Sequence, residues 1–216
     1  MLDCSDTDVM STAIGRAGHI EAALEALPYL REWGWGRSHI TCSSVNAEGD
    51  PIPWYRYAAI DFLLDRVRPR QRVFEFGSGN STFWWARNTK TVTAVEHEPG
   101  WAAKVREAIP ANATLLEVPL QADGDYCRMP ERTGGEYEIV VIDGRDRVNC
   151  ALQCLGSLTE DGVIVWDDSH RRRYRGGLEF LAGRGFRRLR FTGLGPIAGN
   201  GGETSILYRP SNCFGI

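Results

Sequence analysis

The chain lacks most of the features that would place it in a specialised class. Its six cysteines (Cys4, Cys42, Cys127, Cys150, Cys154 and Cys213) include no CxxC pair. A chain of 216 residues builds a core large enough to need no disulfide staples. Reduced thiols in a cytoplasmic protein are therefore expected. Cys150 and Cys154 stand one helical turn apart, but the further ligands a metal site needs are missing around them. Positive charge is not in excess: Lys plus Arg total 25 against 28 Asp plus Glu, a net charge of −3. Nothing in that balance draws the chain toward nucleic acid or an anionic membrane, and a small-molecule partner is expected instead. The opening residues MLDCSDTDVM carry three Asp and no basic cluster, so no secretory leader is expected. No apolar run approaches the ~20 residues of a membrane span. Internal repeats and low-complexity tracts are absent.

What is present is a regular alternation. Residues 1–18 are polar and read as a loose arm. Ile20, Ala23, Leu24, Leu27 and Leu30 recur at helical spacing over 19–33, with Pro28 set to kink or end that helix. The stretch 34–53 reads as loop, and Trp33 and Trp35 beside it mark a candidate contact surface for a homo-oligomer. In PWYRYAAIDFLLDRVRP, Tyr57, Ile60, Leu63, Leu64 and Val67 form one helix face stopped by Pro69. Strand-like runs follow at RVFEFG (72–77), TVTAVE (91–96), ATLLEV (113–118), YEIVVID (137–143) and GVIVWDD (162–168). Helix-like stretches separate most of them. Near-continuous apolar strands alternating with helices predict an α/β fold, a parallel sheet covered on both faces. The end differs: FRRLRFTGL and TSILYRP are joined by the loop GPIAGNGGE with no helix between, which predicts a final antiparallel pair. The domain reading is 1–50 as an N-terminal arm and helix, and 51–216 as one ligand-binding domain.

The first strand runs into FEFGSGNST (74–82). Gly77 and Gly79 permit a tight turn and close approach of backbone to a ligand. Ser78, Asn80 and Ser81 offer hydrogen bonds, and a helix N-terminus follows. The third glycine of the dinucleotide fingerprint is missing, because position 82 is Thr82. Glu75 stands two residues before Gly77, and a carboxylate there suits a cationic ligand better than a pyrophosphate. The second strand ends in Glu96, followed by His97. An acid at that place accepts the ribose hydroxyls of an adenosine-bearing cofactor. The competing reading is a solvated strand-end charge.

On these motifs the chain resembles the class I S-adenosylmethionine-dependent methyltransferases, and small bacterial methyltransferase-like proteins in particular. VFEFGSGNSTFWWA, VTAVEHEP, YEIVVIDGRDR and GVIVWDDSHR carry the resemblance over roughly residues 50–210. It implies a three-layer Rossmann-like fold with a seven-stranded, mostly parallel sheet whose last strand is antiparallel. It implies S-adenosylmethionine as cofactor. Glu75, Gly77, Ser78 and Gly79 would hold its methionine part, and Ser81 is a further cofactor-binding candidate. Glu96 would bind the ribose, with His97 beside it a further cofactor-binding candidate, and Val118 and Pro119 would border the adenine. Asp143 would face the methionine amino group or the substrate. Trp54 or Tyr57 would lie near the sulfonium, where an aromatic face attracts a cation. Core packing competes with both assignments. Trp84 and Trp85 are adjacent, so at most one is expected to face the core.

Methyl transfer from a sulfonium is an in-line displacement in which alignment supplies most of the effect. An oxygen nucleophile, the preferred acceptor, needs its proton removed. Asp143, Asp167 and Asp168 end the fourth and fifth strands, where an open parallel sheet forms its crevice. They are candidate Mg²⁺ ligands, as in metal-dependent O-methyltransferases that place acids similarly. The competing reading gives Asp143 to the cofactor, has Asp167 cap a turn and leaves Asp168 solvated. Asp143, Asp168 and His170 are the candidate catalytic groups. Arg145, Arg147 and the run 171–175 are candidates for an anionic substrate, against structural salt bridges. Two other functions stand beside this one: a nicotinamide-dependent oxidoreductase, disfavoured by Thr82 and the lack of a Tyr-x-x-x-Lys pair, and a non-catalytic S-adenosylmethionine-binding protein.

Overall fold

The computed structural model describes residues 27–197 and 199–216. The arm expected over 1–18, and the first part of the helix expected over 19–33, lie outside the described residues; 27–32 are helical. The elements run α1 (Trp35–Thr41), α2 (Tyr57–Arg66), β1 (Arg72–Phe76), α3 (Asn80–Asn88), β2 (Thr91–Glu96), α4 (Pro99–Arg106), β3 (Ala113–Glu117), α5 (Asp125–Arg132), β4 (Tyr137–Ile142), α6 (Arg147–Gln153), β5 (Leu158–Asp167), α7 (Arg175–Gly183), β6 (Arg187–Gly193) and β7 (Gly202–Tyr208).

The seven strands form one sheet in the order β3-β2-β1-β4-β5-β7-β6. β1 to β5 pair in parallel, and β7 runs antiparallel to both β5 and β6. This is the mostly parallel sheet with an antiparallel last strand that the sequence predicts. The central strands are apolar throughout because both faces are covered. Val73, Ile139, Val141, Val163 and Val165 pack with Tyr57, Ile60, Leu63 and Trp85 on one face. Phe74, Phe76, Val140, Ile142 and Ile164 pack with Tyr126, Cys150 and Leu181 on the other. Side chains alternate along a strand, so Glu75, between Phe74 and Phe76, points into the α2–α3 layer.

Four local expectations are corrected. The stretch 34–53 is not all loop, since α1 forms after Gly34, which sits at φ 72° in the left-handed region. Leu64 is half exposed; the buried face of α2 is Tyr57, Ala59, Ile60 and Leu63. Trp84 and Trp85 are both buried, because α3 packs on the sheet and is also covered by the segment holding Ile52 and Tyr55. Helix α5, with Pro130 inside it, fills the β3–β4 connection, for which no helix was predicted. Trp33 and Trp35 are partly buried against the core, Trp33 stacking on Tyr57 at 4.9 Å and Trp35 on His39 at 5.3 Å. The five described cysteines are free thiols. Among the described residues no helix is long and apolar enough to cross a membrane.

Candidate functional site

A cleft of about 680 Å³ opens above the carboxyl ends of β1, β2, β4 and β5, where an open α/β sheet places its ligands. Its first wall grows from the glycine turn. Gly77 has φ 96° and Gly79 φ 150°, conformations that side-chain-bearing residues rarely adopt. Gly144, after β4, meets this turn so closely that a Cβ would lie 2.8 Å from the Gly77 nitrogen and 2.0 Å from the Tyr126 hydroxyl. Trp101 caps the outside of the turn, its Nε1 donating to the Ser78 carbonyl at 2.8 Å.

Two carboxylates complete that wall. Glu75 is buried and accepts the Thr82 hydroxyl on Oε2 at 2.5 Å, while Oε1 is buried without a partner. Burial pushes its carboxyl up to about 7. Thr82, where the dinucleotide fingerprint has glycine, is thus the residue that holds Glu75. Glu96 lines the cleft. Its Oε1 accepts the backbone N–H of His97 at 2.8 Å and of Glu98 at 3.0 Å, and its Oε2 accepts the Ser78 hydroxyl at 3.1 Å. Those bonds fix the carboxylate at the strand end with lone pairs to spare.

The second wall is charged differently. Arg147, almost fully buried, donates to the Asp143 carboxylate at 2.9 Å and to the carbonyls of Asp143 at 2.7 Å and Gly144 at 2.9 Å. It also reaches the Asp167 carbonyl. One guanidinium therefore ties the ends of β4 and β5 together, the structural reading of Arg147. Asp167 accepts the Thr204 hydroxyl at 2.6 Å. The carboxyls of Asp143 and Asp167 are both pushed up, first by burial; nearby acids add to this, Glu75 and Asp168 for Asp143, and Asp143 and Asp168 for Asp167, while Arg147 pulls both in the opposite direction. Two like charges in one low-dielectric site resist ionising together. Asp168 pairs with Arg171 and, at 3.6 Å, with Arg56.

The Mg²⁺ expectation does not fit this geometry. Among the described residues no group of three His, Cys, Asp or Glu is arranged to hold a metal. Asp143 is engaged by Arg147, Asp167 by Thr204, and Asp168 by two arginines, so the three acids face cations and a hydroxyl rather than a shared centre.

Several predicted residues converge on the cleft: Trp54, Glu96, His97, Asp143, Asp167 and Asp168 line it, with Glu75, Gly77, Ser78, Gly79 and Ser81 in or beside the turn at its edge. Others do not line it. Tyr57 turns into the core, stacked on Trp33. Val118 packs in the opposite core layer, and Pro119 is exposed. His170 is exposed, because Asp168 takes φ 53° and the chain turns there, burying Ser169 against Glu203 at 2.9 Å and facing the next residue outward. Sequence reasoning missed Arg56 and Trp101, which line the cleft, and Tyr55, fully buried within the electrostatic reach of Glu75, Asp143 and Asp167. A charge inside the otherwise apolar PWYRY segment was the available signal for Arg56.

No family model matches the chain, and no curated protein matches it. Solved structures do. An rRNA methylase from Streptococcus thermophilus superposes with a TM-score of 0.53 at 15% identity, covering 71% of this chain and 95% of its own. A putative O-methyltransferase from Klebsiella pneumoniae gives 0.56 at 19% identity, covering 73% and 83%. A putative methyltransferase from Streptococcus mutans, in complex with S-adenosylhomocysteine (SAH), gives 0.51 at 13% identity, covering 68% and 94%. At these identities the likeness establishes the fold: the chain has the Rossmann-like class I methyltransferase fold.

Proposed function

We propose that this chain is a cytoplasmic S-adenosylmethionine-dependent methyltransferase acting on a small-molecule acceptor, with oxygen the favoured nucleophile. Residues 51–216 form its transferase domain. The observation that carries the reading is the pair of acids on the first wall. Glu75 is buried with an unpartnered oxygen beside a turn where Gly77, Gly79 and Gly144 leave no Cβ in the way. Glu96 stands at the next strand end, fixed by three hydrogen bonds. A buried acceptor without a partner is costly unless a ligand satisfies it, and a cationic ligand satisfies a carboxylate best. The cleft volume lies within the range of small-molecule sites. The Streptococcus mutans neighbour carries the demethylated cofactor on the same fold.

When bound, S-adenosylmethionine would supply a methyl group on a positively charged sulfur with a good leaving group. The residues of this chain would then do the following. Ser78 and the glycine turn hold the amino-acid end against Glu75. Glu96 accepts the ribose hydroxyls. Trp54, half exposed on the cleft wall, excludes water and offers an aromatic face to the cation. Asp143, its anion supported by Arg147 at 2.9 Å, takes the acceptor proton. Asp167 retains its own proton to higher pH, which keeps charge from accumulating beside Asp143. Asp168 anchors Arg56 and Arg171, and no step passes through a metal or through His170.

The fold itself does not choose the acceptor, since an rRNA methylase and a putative O-methyltransferase share it. The net charge of −3 favours a small molecule over a polyanion. A nicotinamide enzyme is disfavoured by the antiparallel β7, because the dinucleotide fold is parallel in both halves, and by the acid at the turn. Calorimetry with S-adenosylmethionine and SAH tests the reading. Uptake with a Kd in the micromolar range is expected, and failure to bind either compound removes the function while leaving the fold.

A further inference from the structure

Two arginines of the second wall are equally buried and oppositely satisfied. Arg147 makes four hydrogen bonds to strand-end oxygens. Arg56 is 6% exposed, and its Nε is buried without a partner. Among the described residues its one ion pair is with Asp168, at 3.6 Å, beyond hydrogen-bond range. Asp168 is already shared with Arg171. A guanidinium removed from water without full hydrogen bonding is unfavourable, so its retention calls for a partner the protein does not supply.

The fold holds Arg56 in that place. Its backbone nitrogen donates to the Thr204 hydroxyl at 3.1 Å. Gly202 leaves the space the guanidinium occupies, since a Cβ there would lie 2.4 Å from the Arg56 Cζ. The side chain lines the cleft together with Arg145 and Arg171, both exposed at its mouth. Arg56, Arg145 and Arg171 thus face one volume, and Asp168 is the acid that two of them share. Planar guanidinium groups of this kind match the paired oxygens of a carboxylate or phosphate.

We propose that the β4–β5 half of the cleft is an oxyanion subsite for the methyl acceptor: the acceptor carries a carboxylate or phosphate, Arg56 is its buried anchor, and Arg145 and Arg171 draw it in at the mouth. Calling the ligand an acceptor rests on the methyltransferase reading. The subsite itself rests on the arginines.

The test is calorimetry on the full chain, with and without saturating SAH, using three probes: benzoate, inorganic phosphate and the neutral benzyl alcohol. Binding of benzoate or of phosphate at least tenfold tighter than benzyl alcohol is expected, and the stronger of the two anions identifies the acceptor group. Arg56→Gln lowers that affinity tenfold or more and Arg56→Lys lowers it partially, while SAH affinity stays within threefold of wild type. Arg145→Ala, at an exposed position where folding is not at stake, lowers it two- to fivefold. Equal binding of charged and neutral probes overturns the proposal. So does binding of neither anion, or an anion affinity that Arg56→Lys and Arg145→Ala both leave unchanged. Loss of the methyltransferase reading would show separately, as an SAH titration without heat, and the probes on the unliganded protein would still decide the subsite.

Discussion

The two walls of the cleft are built from the same ingredient, acids at strand ends, and do opposite things with it. At β1 and β2 the acids are held by short-range neighbours: Glu75 by Thr82 on the following helix, and Glu96 by Ser78 and the next two backbone N–H groups. They remain acidic surfaces with capacity left over. At β4 and β5 the acids are answered by arginines and a hydroxyl, some from distant elements: Arg147 from the following helix, Arg56 from before α2, Thr204 from β7. One wall suits a cation, the other an anion. The difference teaches that a carboxylate at a strand end announces a site but not its charge; what packs across from it decides that.

The most disruptive way to break the comparison is to remove the point where the walls touch. Gly144→Ala would drive a Cβ against Tyr126 and the Gly77 nitrogen. A loss of about 3 kcal/mol in unfolding free energy is expected from overpacking of this kind, read by urea denaturation, together with loss of SAH binding. Next, Glu96→Gln keeps the size of the side chain and removes its charge. SAH affinity should fall by about 10- to 100-fold, as for hydrogen bonds to charged groups, with the melting temperature little changed. A normal affinity in this variant would leave the first wall without its assigned ligand.

The charge contrast also predicts a pH dependence. Glu75, Asp143 and Asp167 are all raised in the folded protein, chiefly by burial. The folded state therefore holds protons that the unfolded chain has released above about pH 4.5. Their contribution is fully present below that pH and is lost as pH rises through about 7, the value for Glu75. The melting temperature should drop by about 5 °C between pH 5 and pH 8, and Glu75→Gln should flatten part of the slope. Over the same interval S-adenosylmethionine and SAH should both gain affinity, because Glu75 becomes charged against the amino-acid end they share. The smallest effect belongs to Tyr57→Phe. The Tyr57 hydroxyl is buried without a partner, so its removal should leave unfolding free energy unchanged or raise it by up to ~1 kcal/mol. SAH affinity should be unaltered; a changed affinity would return Tyr57 to the cleft.

Much of the first wall was legible because its logic is local. FEFGSGNST sets a strand, two glycines at positive φ and a helix start within nine residues, and TVTAVEHEP ends a strand in an acid that its own neighbours fix. The second wall was half legible. YEIVVIDGRDR and GVIVWDDSHR put Asp143, Asp167 and Asp168 at strand ends, and from that a shared metal was a fair expectation. Nothing within those segments shows that Arg56 and Thr204 arrive from elsewhere, or that the left-handed backbone at Asp168 sends His170 to solvent. Trp84 and Trp85 failed for a related reason: helical periodicity assumes one covered face, and α3 has two.

By itself the sequence determined the alternation of strands and helices, the antiparallel finish, the glycine turn and the acids at the strand ends. Each follows from propensity and turn chemistry acting over a few residues. Only the tertiary structure decided which acids stay free, which are neutralised, and where a buried arginine faces open space. Burial and ion pairing depend on groups brought together from distant parts of the chain, and local pattern carries no record of those meetings.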